Sequence, residues 1–156
     1  MIKILFICHG NICRSQMAEC MMKHMVRKAH LENEIMIDSA ATSREEIGNG
    51  IYPAAARELQ RHGVPSGNHR ARQVTKADYE TFDYLIGMED VNIRNMHRLL
   101  GGDPQGKMSK MLDFAEGSQK GCDIDDPWYT GRFGQVYEQI EEGCKGLLSR
   151  LMGRRA

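Results

Sequence analysis

The chain has 156 residues, 41% hydrophobic and 27% charged, with 21 Lys plus Arg against 21 Asp plus Glu and a formal net charge of zero. These proportions suit one globular domain over residues 1–156, and the charge balance removes any general attraction to nucleic acid or an anionic membrane. The apolar run from Ile4 to Cys8 is too short for a signal peptide or a spanning helix, and the odd count of five cysteines reads as reduced thiols of a cytoplasmic protein.

In chain order, Ile2 to Ile7 is apolar apart from Lys3, as in a strand buried on both faces. A turn-like segment, Cys8-His9-Gly10-Asn11, follows, and then Met17, Ala18, Met21, Met22, Met25, Val26 and Ala29 fall at helical spacing. Ile35 to Ile37 reads as a short second strand, and Ser39 to Gly50 as a polar connection. Pro53 suits the first turn of a helix that stops at His62-Gly63. Tyr84 to Met88 reads as a third strand, Val91 to Leu100 as a helix stopped by Gly101-Gly102, and Met108 to Phe114 as a fourth strand. The last helix carries one apolar stripe of Phe133, Val136, Tyr137, Ile140, Cys144, Leu147, Leu148 and Leu151, which Gly143 and Gly146 weaken. Strands alternating with helices predict an α/β domain with a four-stranded parallel sheet and helices on both faces. Ligands of such sheets bind at the carboxyl ends of the strands, so the loop after the first strand is the place to look.

That loop is Cys8-His9-Gly10-Asn11-Ile12-Cys13-Arg14-Ser15, running from a buried strand into a helix N-terminus. Such a loop aims several backbone N–H groups at one point, where the helix dipole adds positive potential, so an anion fits there. Arg14 can grip two oxygens through its planar fork. Cys8, at the strand end beside an arginine and a helix N-terminus, is favoured as a thiolate and hence as a nucleophile. A bland alternative makes Cys8 a buried, inert thiol and Arg14 a surface cation.

A cysteine, five residues, an arginine and a serine form the phosphate loop of cysteine-dependent phosphatases. The stretch from Cys8 through Ser15, continued by Met17-Ala18-Glu19, resembles the low-molecular-weight protein tyrosine phosphatase family. The resemblance extends over nearly the whole chain through Asp38-Ser39-Ala40-Ala41-Thr42, Ala71-Arg72-Gln73 and Asp125-Asp126-Pro127-Trp128-Tyr129. It implies Cys8 as nucleophile, Arg14 as phosphate clamp, and Asp126, the aspartate before proline, as general acid and base. Asp125 beside it is the rival carboxylate. His9, Gly10, Asn11, Ile12, Cys13 and Ser15 would complete the phosphate-binding loop, with Asn11, Ser15 and His69 holding its shape. Ser15 would also hydrogen-bond the departing thiolate, and it serves equally well as a helix N-cap. Taken alone, His69 is more often a solvated loop residue. The resemblance further implies a reversible Cys8–Cys13 disulfide under oxidation, against the alternative of a silent Cys13 thiol. No cofactor and no metal are expected, and a monomer is.

Departures from the family bear on substrate choice. His9 stands where a small or aliphatic residue is commoner, to contact substrate or to sit solvated at the cleft rim. Glu45 occupies a lid position that is often aromatic and would repel acidic phosphopeptides; Tyr52 could serve as an aromatic wall in its place. Trp128 and Tyr129 are expected to flank the cleft and stack on an aryl phosphate. Ile12 stands where arginine phosphatases of the family would have threonine, and this favours a phosphotyrosine protein or a small aryl phosphate. The alternatives are a protein-arginine phosphatase, a thiol-linked arsenate reductase, which needs relay cysteines that the stretch between Cys20 and Cys122 lacks, and a non-catalytic phosphate-binding module.

Overall fold

The computed structural model describes residues 1–155; the side chains of Arg154 and Arg155 and the whole of Ala156 lie outside it. Four strands form one parallel sheet in the order β2-β1-β3-β4. Strand β1 (Ile2–Cys8) is central, paired with β2 (Ile35–Ala41) on one side and β3 (Tyr84–Gly87) on the other. Its side chains alternate between two cores, as a pleated strand requires. Ile4, Phe6 and Cys8 face a core shared with helices α1 (Arg14–Lys28), α2 (Pro53–Arg61) and α6 (Phe133–Arg155). Leu5 and Ile7 face a smaller core shared with α3 (Lys76–Thr81) and α4 (Asp90–Leu100). The expected α/β sheet with helices on both faces is therefore present.

Three local readings need correction. Strand β2 runs on through Ser39, Ala40 and Ala41, which pair with Phe6, Ile7 and Cys8, so the polar connection begins later than expected. The fourth strand, β4, covers only Met108–Lys110. Met111–Phe114 is a 3₁₀ turn, because the Asp113 carboxylate accepts a 2.7 Å hydrogen bond from the Lys110 N–H and pulls the chain round. Helix α3 was not expected at all, although Thr75-x-x-Asp78 carries its signature: the Thr75 N–H donates to the Asp78 carboxylate at 2.8 Å and the Asp78 N–H to the Thr75 hydroxyl at 3.3 Å.

The glycines of α6 have a positive use. A Cβ on Gly146 would lie 1.8 Å from the Phe114 carbonyl oxygen, and one on Gly143 would lie 2.7 Å from the Met111 carbonyl oxygen. The helix packs directly on the 3₁₀ turn, and only glycine permits that approach. Further along the chain, the Ile124 N–H donates to the Met88 carbonyl at 2.9 Å.

Candidate active site

Cys8 ends the central strand and α1 begins at Arg14, so the expected loop spans the carboxyl edge of the sheet. The loop carbonyls are engaged elsewhere. Those of Cys8, His9 and Ile12 accept from the N–H groups of Thr42, Ser43 and Tyr52 at 2.9, 3.0 and 2.8 Å, and that of Cys13 from Met17 at 2.9 Å. The Asn11 carbonyl accepts from the Gln16 amide at 3.0 Å. In a planar trans peptide the following N–H points opposite to the carbonyl. The N–H groups of His9, Gly10, Ile12, Cys13 and Arg14 are thus turned the other way, as an anion cradle needs.

The Cys8 sulfur receives the Asn11 N–H at 3.3 Å and lies 3.0 Å from the Ser15 hydroxyl. Asn11 adopts a left-handed φ of 59°, a conformation that asparagine tolerates better than most residues. Its side chain fixes it there: the amide donates to Ser15 at 2.7 Å and Ser39 at 2.9 Å, and the carbonyl oxygen accepts from His69 Nε2 at 2.9 Å. Asn11, Ser15 and His69 therefore share one network, with Ser39 as a member that sequence reasoning quoted but did not assign. The N-cap of α1 is Cys13, without a side-chain capping bond; the Ser15 hydroxyl is turned to Cys8 instead, so the capping alternative does not hold.

Arg14 is 1% exposed. A buried cation needs paired charge and hydrogen bonds, and Arg14 has both. Nη1 donates to the Ile124 carbonyl at 2.7 Å and lies 3.2 Å from Glu89 Oε2, and Nη2 lies 3.5 Å from Asp126 Oδ2. Its Nε is buried without a protein partner. Glu89 was missed by sequence reasoning. Nothing in the motif marks it, since it arrives from the far end of β3, where the Asn92 side chain accepts from the Met88 and Glu89 N–H groups at 2.9 and 3.1 Å. Asp126 caps α5 (Pro127–Thr130), its Oδ1 accepting from the Trp128 N–H at 3.0 Å while Oδ2 faces Arg14. Asp125 is exposed and lines a neighbouring groove.

A cavity of about 120 Å³ is lined by Cys8, His9, Gly10, Ile12, Cys13 and Arg14 from the loop, by Glu45 and Glu46, and by Asp126, Trp128 and Tyr129. Glu46 is an addition to the expected set. His9 stands at the rim, its Nε2 3.0 Å from Glu45 Oε2. Tyr52 does not line the cavity; it packs edge-on behind Trp128, with ring centroids 4.9 Å apart. Cys13 has a free thiol 4% exposed; burial, then the neighbouring Cys8 and Asp126, push its pKa well above the ordinary thiol range. Away from the cavity, Glu19, Asp38 and His69 bring potential metal-ligand atoms within 4.8 Å of one another. No helix among the described residues is long and apolar enough to cross a membrane.

The family model for low molecular weight phosphotyrosine protein phosphatase matches residues 3–155. The low molecular weight protein-tyrosine-phosphatase YfkJ of Bacillus subtilis is 38% identical over 151 residues, covering 97% of this chain and 96% of the relative. Its crystal structure superposes with a TM-score of 0.95 at 36% identity over 100% of this chain and 98% of that one. The phosphatase of Gallus gallus is 41% identical over 149 residues, 94% of each chain. A Drosophila arginine phosphatase, DARP, shares the fold with a TM-score of 0.84 at 30% identity, over 96% of this chain and 98% of that one. Sequence and fold agree over the full length, and the chain belongs to the low molecular weight phosphotyrosine protein phosphatase family, cysteine-dependent hydrolases of protein phosphotyrosine.

Proposed function

We propose that Cys8, Arg14 and Asp126 carry out phosphotyrosine hydrolysis in this chain, with residues 1–156 acting as one catalytic domain. The observation that supports this most directly is the buried Arg14, whose Nε lacks a protein partner in a loop that also holds the Cys8 sulfur. An incoming phosphoryl group fits there, two of its oxygens on the Arg14 fork and the loop N–H groups. The Cys8 thiolate attacks phosphorus, and Asp126 in its acid form gives its proton to the departing tyrosine oxygen. The resulting carboxylate then takes a proton from water as that water attacks the cysteinyl phosphate. The Ser15 hydroxyl, 3.0 Å from the sulfur, stabilises the returning thiolate.

A phosphotyrosine protein or a small aryl phosphate is the substrate of this reading. Ile12 offers an aryl ring an apolar contact, and Trp128 and Tyr129 extend the wall outward. All the groups named belong to one chain, so a monomer suffices, and a thiolate nucleophile suits the reducing cytoplasm. Under oxidation, a Cys8 sulfenic acid would condense with the Cys13 thiol to a disulfide, with loss of water; both residues line the same cavity.

The test is kcat/KM on matched phosphotyrosine, phosphoserine and phosphoarginine substrates and on p-nitrophenyl phosphate. Cys8→Ser should bind phosphate and turn over at background. Asp126→Asn should slow phosphotyrosine hydrolysis by about 10²- to 10⁴-fold and p-nitrophenyl phosphate less, since a good leaving group needs less proton help. If Asp125→Asn were instead the crippling change, the acid would be misassigned. A win for phosphoarginine would reject the Ile12 argument and leave the three roles intact.

A further inference from the structure

The two carboxylates beside Arg14 arrive on different segments. Glu89 stands between β3 and α4, and Asp126 ends the stretch 121–126 that leads into α5. Those segments meet at Lys110, the last residue of β4, which the sheet register places opposite Gly87 of β3. The Lys110 side chain is largely buried, yet it lines neither the catalytic cavity nor the groove beside it. Its ammonium lies 2.9 Å from Asp90 Oδ1, and it donates to Asp123 Oδ1 at 3.0 Å and to the Gly121 carbonyl at 2.7 Å. An ammonium has three N–H donors, and the three acceptors around this one all belong to the two segments.

The junction joins the acid to the head of α4. The Asp90 N–H also donates to Asp123 Oδ1, at 2.9 Å, so one carboxylate oxygen receives both Lys110 and α4. Next in the chain, the Ile124 carbonyl accepts from Arg14, and two residues later Asp126 turns Oδ2 to the same cation. The carboxylates of Asp90 and Asp123 are 64% and 41% exposed, and ion pairs of that exposure add little to stability. The placement of the chain is the larger effect. A shift of about 1 Å in a catalytic group can cost up to about 100-fold in rate, and Asp126 inherits any shift of Asp123.

We propose that Lys110 is a positioning residue for acid catalysis: it clamps the stretch 121–126 to the head of α4 and so sets the Asp126 carboxyl at the leaving-group oxygen. The inference rests on the reading of Asp126 as the general acid. Lys110 takes no part in the chemistry and acts through Asp126 alone. Without its ammonium, Asp90 and Asp123 face each other as like charges and the stretch is pushed off α4. Arg14 keeps its partner Glu89, and Ile124 keeps its backbone bond to Met88. The loss therefore falls on proton delivery and spares phosphate binding.

The test is kcat/KM over a series of aryl phosphates, from p-nitrophenyl phosphate to phenyl phosphate, in Lys110→Met. A poor leaving group depends on the proton and a good one does not. Phenyl phosphate should therefore lose about 10- to 100-fold and p-nitrophenyl phosphate much less, with inhibition by inorganic phosphate unchanged. Added to Asp126→Asn, Lys110→Met should change kcat/KM by about twofold at most, because the group it positions is already gone. A uniform loss across the series, a loss that multiplies with that of Asp126→Asn, or no loss at all would each overturn the proposal. Asp123→Ala, at a half-exposed position, should show the same leaving-group dependence even if Lys110→Met fails to fold, and a native dependence there would reject the clamp. Asp126→Asn alone separates the two readings. If it steepens the dependence while the clamp variants do not, only Lys110 is misassigned; if it does not, the acid itself is wrong and the role of Lys110 falls with it.

Discussion

Arg14 is the residue on which the cleft turns, and its environment separates what a motif can say from what it cannot. The C-x₅-R-S spacing points to Arg14 as the cation of an anion cradle. It could not identify Glu89, 75 residues on, because that contact exists only once β3 lies beside β1 and delivers its carboxyl end to the cleft. Glu89 compensates a charge that burial would otherwise make costly, and under the proposed role of Arg14 it would compete with substrate for that charge. Glu89→Gln, which keeps an acceptor for Nη1 and removes the charge, should tighten competitive inhibition by phosphate. Glu89→Ala should instead free Arg14 to move and lower kcat by up to about 100-fold. Steady-state kinetics with phosphate as inhibitor checks both, and equal effects of the two variants would deny Glu89 an electrostatic role. Arg14→Lys should fail in either background, since a point charge cannot replace the fork.

At the scale of elements, local chemistry and long-range packing divided the legible from the illegible. Strand β1 was readable as a short apolar run broken only by Lys3, and helix α1 from apolar residues at helical spacing. The end of β2 was not, since Ser39, Ala40 and Ala41 are small or polar and become strand only through pairing with Phe6, Ile7 and Cys8. Met111 to Phe114 looks like a strand by composition, yet the Asp113–Lys110 hydrogen bond turns it. Gly143 and Gly146 look like helix weakeners until the Met111–Phe114 turn is seen pressed against them. Gly146→Ala should therefore lower stability despite its better helix propensity, by about 1–3 kcal/mol or more. Gly153→Ala, where a Cβ meets nothing within 4 Å, should leave stability unchanged or slightly higher. Urea denaturation of the two variants is the measurement, and equal midpoints would mean that α6 shifts without penalty.

For the whole molecule, buried thiols make stability above neutral pH a matter of pH. Burial raises the pKa of Cys144 above the ordinary thiol range, raises that of Cys20 to about 12, and does the same for Cys13 with help from Cys8. In the unfolded chain these thiols ionise near about 8.5. Above that value the unfolded state binds fewer protons than the folded one, so stability present at neutral pH falls as pH rises toward the folded values. The urea midpoint should accordingly drop between neutral pH and a pH of about 10, and the slope should be shallower in Cys144→Ala, whatever its absolute stability. A pH-independent midpoint over that range would exclude the thiols as its source. Core composition was legible in the sequence at Cys144, which falls on the apolar stripe of α6; the burial of Cys20 was not, and its thiol donates to the carbonyl of Ser66 in a loop 46 residues on.

The aromatic rim has an optical consequence. The chain contains a single tryptophan, and that residue, Trp128, is half exposed two positions after Asp126 and edge-on to Tyr52. Its fluorescence is therefore the emission of one indole at the mouth of the cleft, free of background from any other. A ligand whose ring stacks on the rim shields that indole from water and alters its brightness and colour. Vanadate, which under the proposed function would occupy only the floor, should leave its solvent contact largely intact. The native protein thus carries an unlabelled reporter that separates occupancy of the wall from occupancy of the phosphate cradle in one titration.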